Sequence, residues 1–346
     1  DRIAAAAPEP AEIANFRDAF SPGYESRNTV ADALADIAIL RTLPDETGIA
    51  IRLRRREGGE GKLGLKFYHL GSAIPLSDRV PMLEHFGFKV IDERTYTVSP
   101  RDGVLRYIHD MVLGPPEGLE VAPETMGASI EAAIAAVWYG EAESDGLNAL
   151  TLWAGLSWDE VALMRALSRY LRQVGISYSQ RYLAQVAVTQ HAASAALIRL
   201  FRALHDPANA DVGAAEKARA AIGAARDAAT SLDEDRILAR FHNLVEASVR
   251  TNFFQRGADG ARRPALAIKF DCAAVDNLPA PKPFREIFVY SPRVEGVHLR
   301  FGAIARGGLR WSDRPEDFRT EVLGLVKAQQ VKNAVIVPVG AKGGFV

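Results

Sequence analysis

The sequence predicts a multidomain chain of α+β and α/β class: a small α+β sandwich, a helical bundle-like segment, and a mixed sheet. Three observations predict it. The chain has 346 residues, which at about 150 residues per domain gives two or three. Short apolar runs bounded by glycine and proline turns occupy 49–113 and 265–304, as strands do. Between them, from about Glu117 to Gln255, the apolar pattern is helical throughout. The segments so defined are a helical lead-in at 1–45, an α+β module at 46–116, a helical segment at 117–257, and the start of a sheet domain at 258–346.

The elements follow in order. Residues 28–42 read as an amphipathic helix beginning near Asn28. Ile49–Arg56 and Lys62–His69 read as strands joined through Gly58-Gly59-Glu60-Gly61. Ser77-Asp78 opens a helix carrying Val80, Leu83 and Phe86, and Gly87 stops it. Phe88–Thr97 and Val104–Leu113 are strands around the turn Pro100-Arg101-Asp102-Gly103. That order predicts a sheet with helices on one face. Thr125–Tyr139, Asp159–Val174, Arg181–Leu204, Ala214–Ala229 and Asp233–Phe254 read as helices packed in a bundle-like layer. Trp153, Trp158 and Tyr170 lie at packing positions within it. After a surface loop at 257–263, Ala265–Asp271, Arg285–Tyr290 and Val297–Ile304 feed a sheet. Its last strand delivers Arg306 to a strand end, where pockets of α/β domains commonly lie.

Composition narrows the function classes. Hydrophobic residues are 48%, charged residues 25% and the net charge is -1, ordinary values for a soluble globular protein. This balance gives no support to a nucleic-acid binder. The basic run Arg52-Leu53-Arg54-Arg55-Arg56 has no interleaved aromatics and reads as a solvated strand. The one cysteine, Cys272, allows no internal disulfide and points to a reducing, cytoplasmic location. No apolar run approaches the roughly 18 residues of a membrane helix. The histidines show no metal-ligand spacing, and no serine sits in a G-x-S-x-G elbow. The start lacks a methionine and a signal-peptide layout, and the end falls within an element. A piece of a longer chain is expected.

Residues 302–346 carry the chemistry. Arg306-Gly307-Gly308 forms a basic turn. Asp313 is expected to cap a helix, with Glu316 reaching back and Pro315 in the first turn. Phe318, Val322, Leu325 and Val326 form its core stripe, Gln329 lies on nearly the same face, and Lys332 follows one turn later. Lys332 suits either a cleft or the helix dipole at that end. A strand at Val335-Ile336-Val337 leads to the loop Gly340-Ala341-Lys342-Gly343-Gly344, whose glycines allow close approach. A nucleotide P-loop is excluded, because Gly343 follows Lys342 where serine or threonine is required. Cations on glycine-flanked turns suit a pocket for small anionic substrates.

RGGLRW at 306–311, KAQQVKNA at 327–334 and PVGAKGG at 338–344 together resemble the glutamate dehydrogenases, in particular their large-subunit, NAD-specific class. LKFYHLG at 65–71 and FGFKVIDERTYTV at 86–98 resemble the ACT-like (ferredoxin-like) regulatory modules that precede the catalytic part of these enzymes. Residues 152–183 are similar to the same class. The resemblance implies NAD-dependent oxidative deamination of L-glutamate to 2-oxoglutarate and ammonia, in a homo-oligomer. It implies that Arg306, with Gly307 and Gly308, holds the side-chain carboxylate. It implies that Gln329 and Lys332 hold the α-carboxylate and that Lys342 is catalytic. Arg306 departs from the lysine usual in the small-subunit enzymes. A guanidinium still grips a carboxylate with two parallel bonds. Water must attack an imine in this reaction, and neighbouring cations and desolvation make a lysine a usable base. The dinucleotide domain, with a glycine-rich turn after a strand and a further carboxylate, is expected outside these residues, which alone should neither bind NAD nor turn over glutamate. The alternative is a non-catalytic effector-binding or interaction module that keeps the lysine and glycine turns.

Overall fold

The computed structural model describes residues 13–45, 47–56, 61–208, 211–332 and 339–346, apart from the side chains of 329–332. By contact the chain divides into two compact units, 1–139 and 140–346.

The first unit is built on β1 (Ile49–Arg55), β2 (Leu63–Leu70), β3 (Lys89–Val98) and β4 (Arg106–Gly114). Three helices accompany them: α1 (Val30–Leu40), α2 (Leu76–His85) and α3 (Pro123–Trp138). The strands lie in the order β1-β2-β4-β3, each antiparallel to its neighbour. This is the sheet of a ferredoxin-like βαββαβ unit with the last strand moved to the front. The outer edge of β1 is closed by α3 and the residue after it. Glu131 Oε1 accepts from Leu53 N at 2.8 Å, and the Tyr139 hydroxyl accepts from Ile49 N at 3.0 Å. An edge satisfied in this way no longer templates pairing with another strand.

Helices are not confined to one face of this sheet. Every residue of β2 is buried. Tyr68 and Leu70 pack on Ala33, Ile37 and Leu40 of α1 and on Phe16 and Tyr24 before it. The alternate residues Leu65 and Phe67 are fully buried as well, and α2 and α3 pack against β3 and β1. The lead-in is therefore part of this core. The cause is a buried polar knot: Asp36 of α1 accepts from Lys66 Nζ at 2.6 Å, from Tyr68 at 2.7 Å and from Tyr24 at 2.6 Å. α1 thus both covers the Lys66 ammonium and supplies the carboxylate that offsets its burial. Thr29 and Asp32 start α1 with a reciprocal capping box. The expected turn at Gly58-Gly59-Glu60 lies outside the described residues.

The second unit joins helices to a sheet through one hydrophobic core that runs from Leu147 to Val326. Its longer helices are α4 (Trp158–Gln173), α5 (Gln180–Thr189), α6 (His191–His205), α7 (Val212–Asp227), α8 (Leu232–Ala247) and α9 (Phe318–Lys332). Its strands are β5 (Ser248–Thr251), β6 (Leu266–Asp271), β7 (Arg285–Ser291), β8 (Val294–Arg300), β9 (Ala305–Arg306), β10 (Leu309–Trp311) and β11 (Val339–Phe345). The order is β10-β11-β8-β7-β6-β5, and β9 also pairs with β11. Tyr170 of α4 stacks on Phe270 of β6 at 4.5 Å, tying the two layers together.

Four expectations change here. Arg181–Leu204 is two helices that break at Gln190. The long helix from Asp233 ends at Ala247, because Ser248–Thr251 pairs with β6, and β-branched Val249 and Thr251 suit a strand. The helix expected to begin at Asp313 begins at Phe318. Gln173 fixes that start from afar: its Nε2 donates to the carbonyls of Pro315 (3.0 Å) and Glu316 (3.3 Å), and its Oε1 accepts from Arg319 N at 3.1 Å. Lastly, Gly340–Gly344 is not a loop but the body of β11. The strand expected at Val335-Ile336-Val337 lies outside the described residues.

Candidate functional site

The second unit brings the two glycine-flanked cations together through β11. This strand pairs antiparallel with β8, Lys342 opposite Leu299, and parallel with both short strands that flank the Gly307-Gly308 turn. Arg306 thereby stands opposite Gly340, and Leu309 opposite Gly343. Gly343 N donates to Gly308 O at 3.2 Å. The turn is pressed against the lysine strand so closely that a methyl group on Gly307 would collide with the carbonyl oxygen of Ala341. One on Gly308 would lie 3.8 Å from Lys342 Nζ. The glycines of β11 serve the same approach. A methyl group on Gly343 would stand 3.0 Å from Val297 O, and one on Gly344 would stand 2.5 Å from Val322 of α9. Glycine is what a strand needs where other backbone comes this near.

The electrostatics favour an anion. Arg306 is exposed and Lys342 half-buried, and no carboxylate among the described residues pairs with either. The nearby Arg310, by contrast, is held by Glu321 at 3.1 Å, and Glu321 also accepts from Ser312 at 2.5 Å. Gln329 and Lys332 occupy the last turn of α9, and their side chains lie outside the described residues. Of the six site positions expected from the sequence, Arg306, Gly307 and Gly308 thus lie at the β9–β10 turn, Lys342 on β11 beside it, and Gln329 and Lys332 on α9, which packs against β11.

Beneath the site lies a pair that sequence reading missed. Arg319 of α9 and Glu286 of β7 are both fully buried and joined by two bonds of 2.7 Å. Burial alone would weaken the guanidinium's hold on its proton, but the Glu286 carboxylate outweighs that and raises Arg319 above the ordinary arginine range. The signal was present. Glu286 alternates with Phe288 and Tyr290, both inward-facing, and Arg319 stands three and seven residues before Val322 and Val326 on the buried stripe. Opposite charges on two buried faces point to a pair.

The architecture is a mixed sheet backed by helices, preceded by a helical segment and an ACT-like module. Residues 48–126 match the model of the glutamate dehydrogenase ACT3 domain. Residues 142–207 match that of glutamate dehydrogenase helical motif 3, and residues 221–346 that of the bacterial NAD-glutamate dehydrogenase catalytic domain. The chain is 46% identical to the NAD-specific glutamate dehydrogenase of Mycobacterium tuberculosis over 345 residues, 97% of this chain and 21% of that protein. The corresponding proteins of Halomonas elongata and Pseudomonas aeruginosa are 45% and 43% identical over 96% of the chain, again 21% of their lengths. The chain belongs to the NAD-specific glutamate dehydrogenase family and spans about a fifth of the length of these relatives.

The described residues do not fit a dinucleotide. Such a site needs a glycine-rich turn leading from a parallel strand into a helix, whose amino end receives the pyrophosphate. The letters G-x-G-x-x-G do occur once, at Gly59-Glu60-Gly61-Lys62-Leu63-Gly64, a match the reading from sequence did not include. They lead from β1 into its antiparallel neighbour β2, and no helix follows. Among the described residues no group of three or more His, Cys, Asp or Glu is placed to hold a metal ion. No helix among them is long and apolar enough to cross a membrane.

Proposed function

We propose that this chain is the glutamate-gripping part of an NAD-dependent glutamate dehydrogenase. Arg306, on the turn with Gly307 and Gly308, takes the side-chain carboxylate. Gln329 and Lys332 take the α-carboxylate, and Lys342 is the catalytic base. The observation that carries this reading is the pairing of β9 and β10 with β11, which sets two cations, neither paired with a carboxylate among the described residues, around one glycine turn. Helix length supports it. Val322 lies against Gly344. From Val322 to Lys332 the helix rises about 15 Å, and from Gly344 back to Gly340 the strand runs about 13 Å. Running antiparallel to β11, a helix of this length would bring the backbone of Lys332 level with Gly340, opposite Arg306, as a dicarboxylate held at both ends requires.

Only the hydrolytic half of the reaction is assigned to these residues, because they do not fit the nicotinamide carrier that oxidises the amine. Once the protonated imine of 2-oxoglutarate exists, water adds to its carbon and the Lys342 amine accepts the proton that water loses, leaving a carbinolamine. Lys342 returns that proton to the carbinolamine nitrogen and takes the hydroxyl proton as the C–N bond breaks, which releases ammonia and 2-oxoglutarate. Substrate binding also balances the cationic cluster. The chain would bind no NAD alone and would work within a longer polypeptide, cytoplasmic and homo-oligomeric. Burial pushes the Cys272 thiol up to about 12, so it stays protonated near neutral pH. The exposed Ile304, Leu309 and Trp311 beside the open edge of β10 fit contact with further protein. We keep 1–45, 46–116, 117–257 and 258–346 as proposed segments, although packing joins 117–139 with its helix Pro123–Trp138 to the first unit rather than to the helical layer, and 140–257 to 258–346.

The test is kinetic. In the complete polypeptide that contains these residues, Lys342→Ala is expected to lower kcat by roughly 10²–10⁴-fold. Arg306→Ala should mainly raise KM for glutamate. Near-normal turnover in Lys342→Ala would favour the non-catalytic module instead.

A further inference from the structure

A cavity of about 380 Å³ opens in the second unit, where α4 begins, the β7–β8 turn folds over, and the chain enters β6. Its apolar walls are aromatic rings and short aliphatic groups: Trp158, Phe253, Tyr290, Pro264 and Leu266. Phe253 and Tyr290 are buried, and Trp158 is half-buried. Its charged lining is three arginines, Arg262, Arg263 and Arg293, and two acids, Asp159 and Glu141.

These charges are not equivalent. Arg262 touches the buried Asp159 and lies over the Phe253 ring, 4.8 Å from its centre. That pair is neutral as a whole and forms wall. Arg263 and Arg293 are exposed, and neither guanidinium makes a hydrogen bond or ion pair among the described residues. Glu141 is exposed too. Two free guanidiniums against one free carboxylate leave the mouth with an excess of one positive charge. The volume lies within the range of small-metabolite sites. Guanidinium forks suit planar oxyanions, and the rings offer burial to a flat apolar body.

We propose that this cavity binds a small organic anion with a planar apolar body. Arg263 and Arg293 hold its carboxylate or phosphate, and its body lies against Trp158 and Phe253. The inference does not rest on the dehydrogenase reading, since none of Arg306, Gly307, Gly308 or Lys342 lines the cavity. An occupant would touch the turn that leads into β8, the strand paired with Lys342.

The experiment is a calorimetric titration of the 346-residue chain with phenylacetate, phenyl phosphate and uncharged benzyl alcohol. At least one anion should bind saturably, and benzyl alcohol should bind at least tenfold more weakly. Binding of one anion alone assigns carboxylate or phosphate. The double variant Arg263→Ala/Arg293→Ala, changed only at exposed positions, should bind roughly tenfold or more weakly. Trp158→Leu should weaken both anions while benzyl alcohol stays weak. No saturable binding of either anion, affinity unaltered in the double variant, or benzyl alcohol binding as well as the anions would each overturn the proposal.

Discussion

Single residues decide how near the Arg306 turn and the Lys342 strand can come. Gly307 and Gly343 read in the sequence as turn glycines, yet Gly343 is a strand residue, and what makes both necessary is a neighbour distant in the chain. That neighbour is the reason the strand could not be read from sequence: no local pattern announces that β8 and β10 flank a run of small residues. Gly307→Ala should destabilise the second unit by about 1–3 kcal/mol, because its methyl group meets the Ala341 carbonyl and backbone must shift. Gly324 is the control. It lies within α9, and a methyl group there meets nothing within 4 Å. Gly324→Ala should stabilise by about 0.5–1 kcal/mol. Thermal unfolding of both variants reads the contrast, and equal effects would contradict this account of Gly307.

At the scale of elements, α9 is held by α4 and β7 rather than by its own cap. The sequence shows the apolar stripe of α9 correctly: Phe318, Val322 and Val326 are fully buried, with Leu323 in place of Leu325. Its starting point was misread because Asp313-Arg314-Pro315-Glu316 is a sound local capping pattern that Gln173 overrides from another helix. The buried pair beneath it carries a stability prediction. Glu286→Leu leaves the Arg319 guanidinium buried without its counter-charge and should cost about 3–5 kcal/mol. Adding Arg319→Met removes the orphaned charge and should recover most of that loss. Denaturant unfolding of the single and double variants checks it. A double variant as unstable as the single one would show that the pair itself, and not the uncompensated charge, is what matters.

Over the whole molecule, the strand-rich ends and helical middle were legible, because periodicity is local. Which segments share a core was not. The lead-in proved to cover the second face of the first sheet, since the partners of Lys66 lie on α1. The helices of 142–247 share one core with the sheet that carries Lys342. The cationic residues were legible as letters, while the nearness of the Arg306 turn to Lys342 depends on β11 lying between β8 and the Gly307-Gly308 turn. The central claim is that this convergence grips a dicarboxylate at both ends. Its most direct test is a titration of the 346-residue chain with 2-oxoglutarate and with 2-oxobutanoate, which lacks the distal carboxylate. The account predicts saturable binding of 2-oxoglutarate, weaker binding of 2-oxobutanoate, and loss of that preference in Arg306→Ala. Equal affinity for the two acids, or a preference untouched by Arg306→Ala, would contradict it.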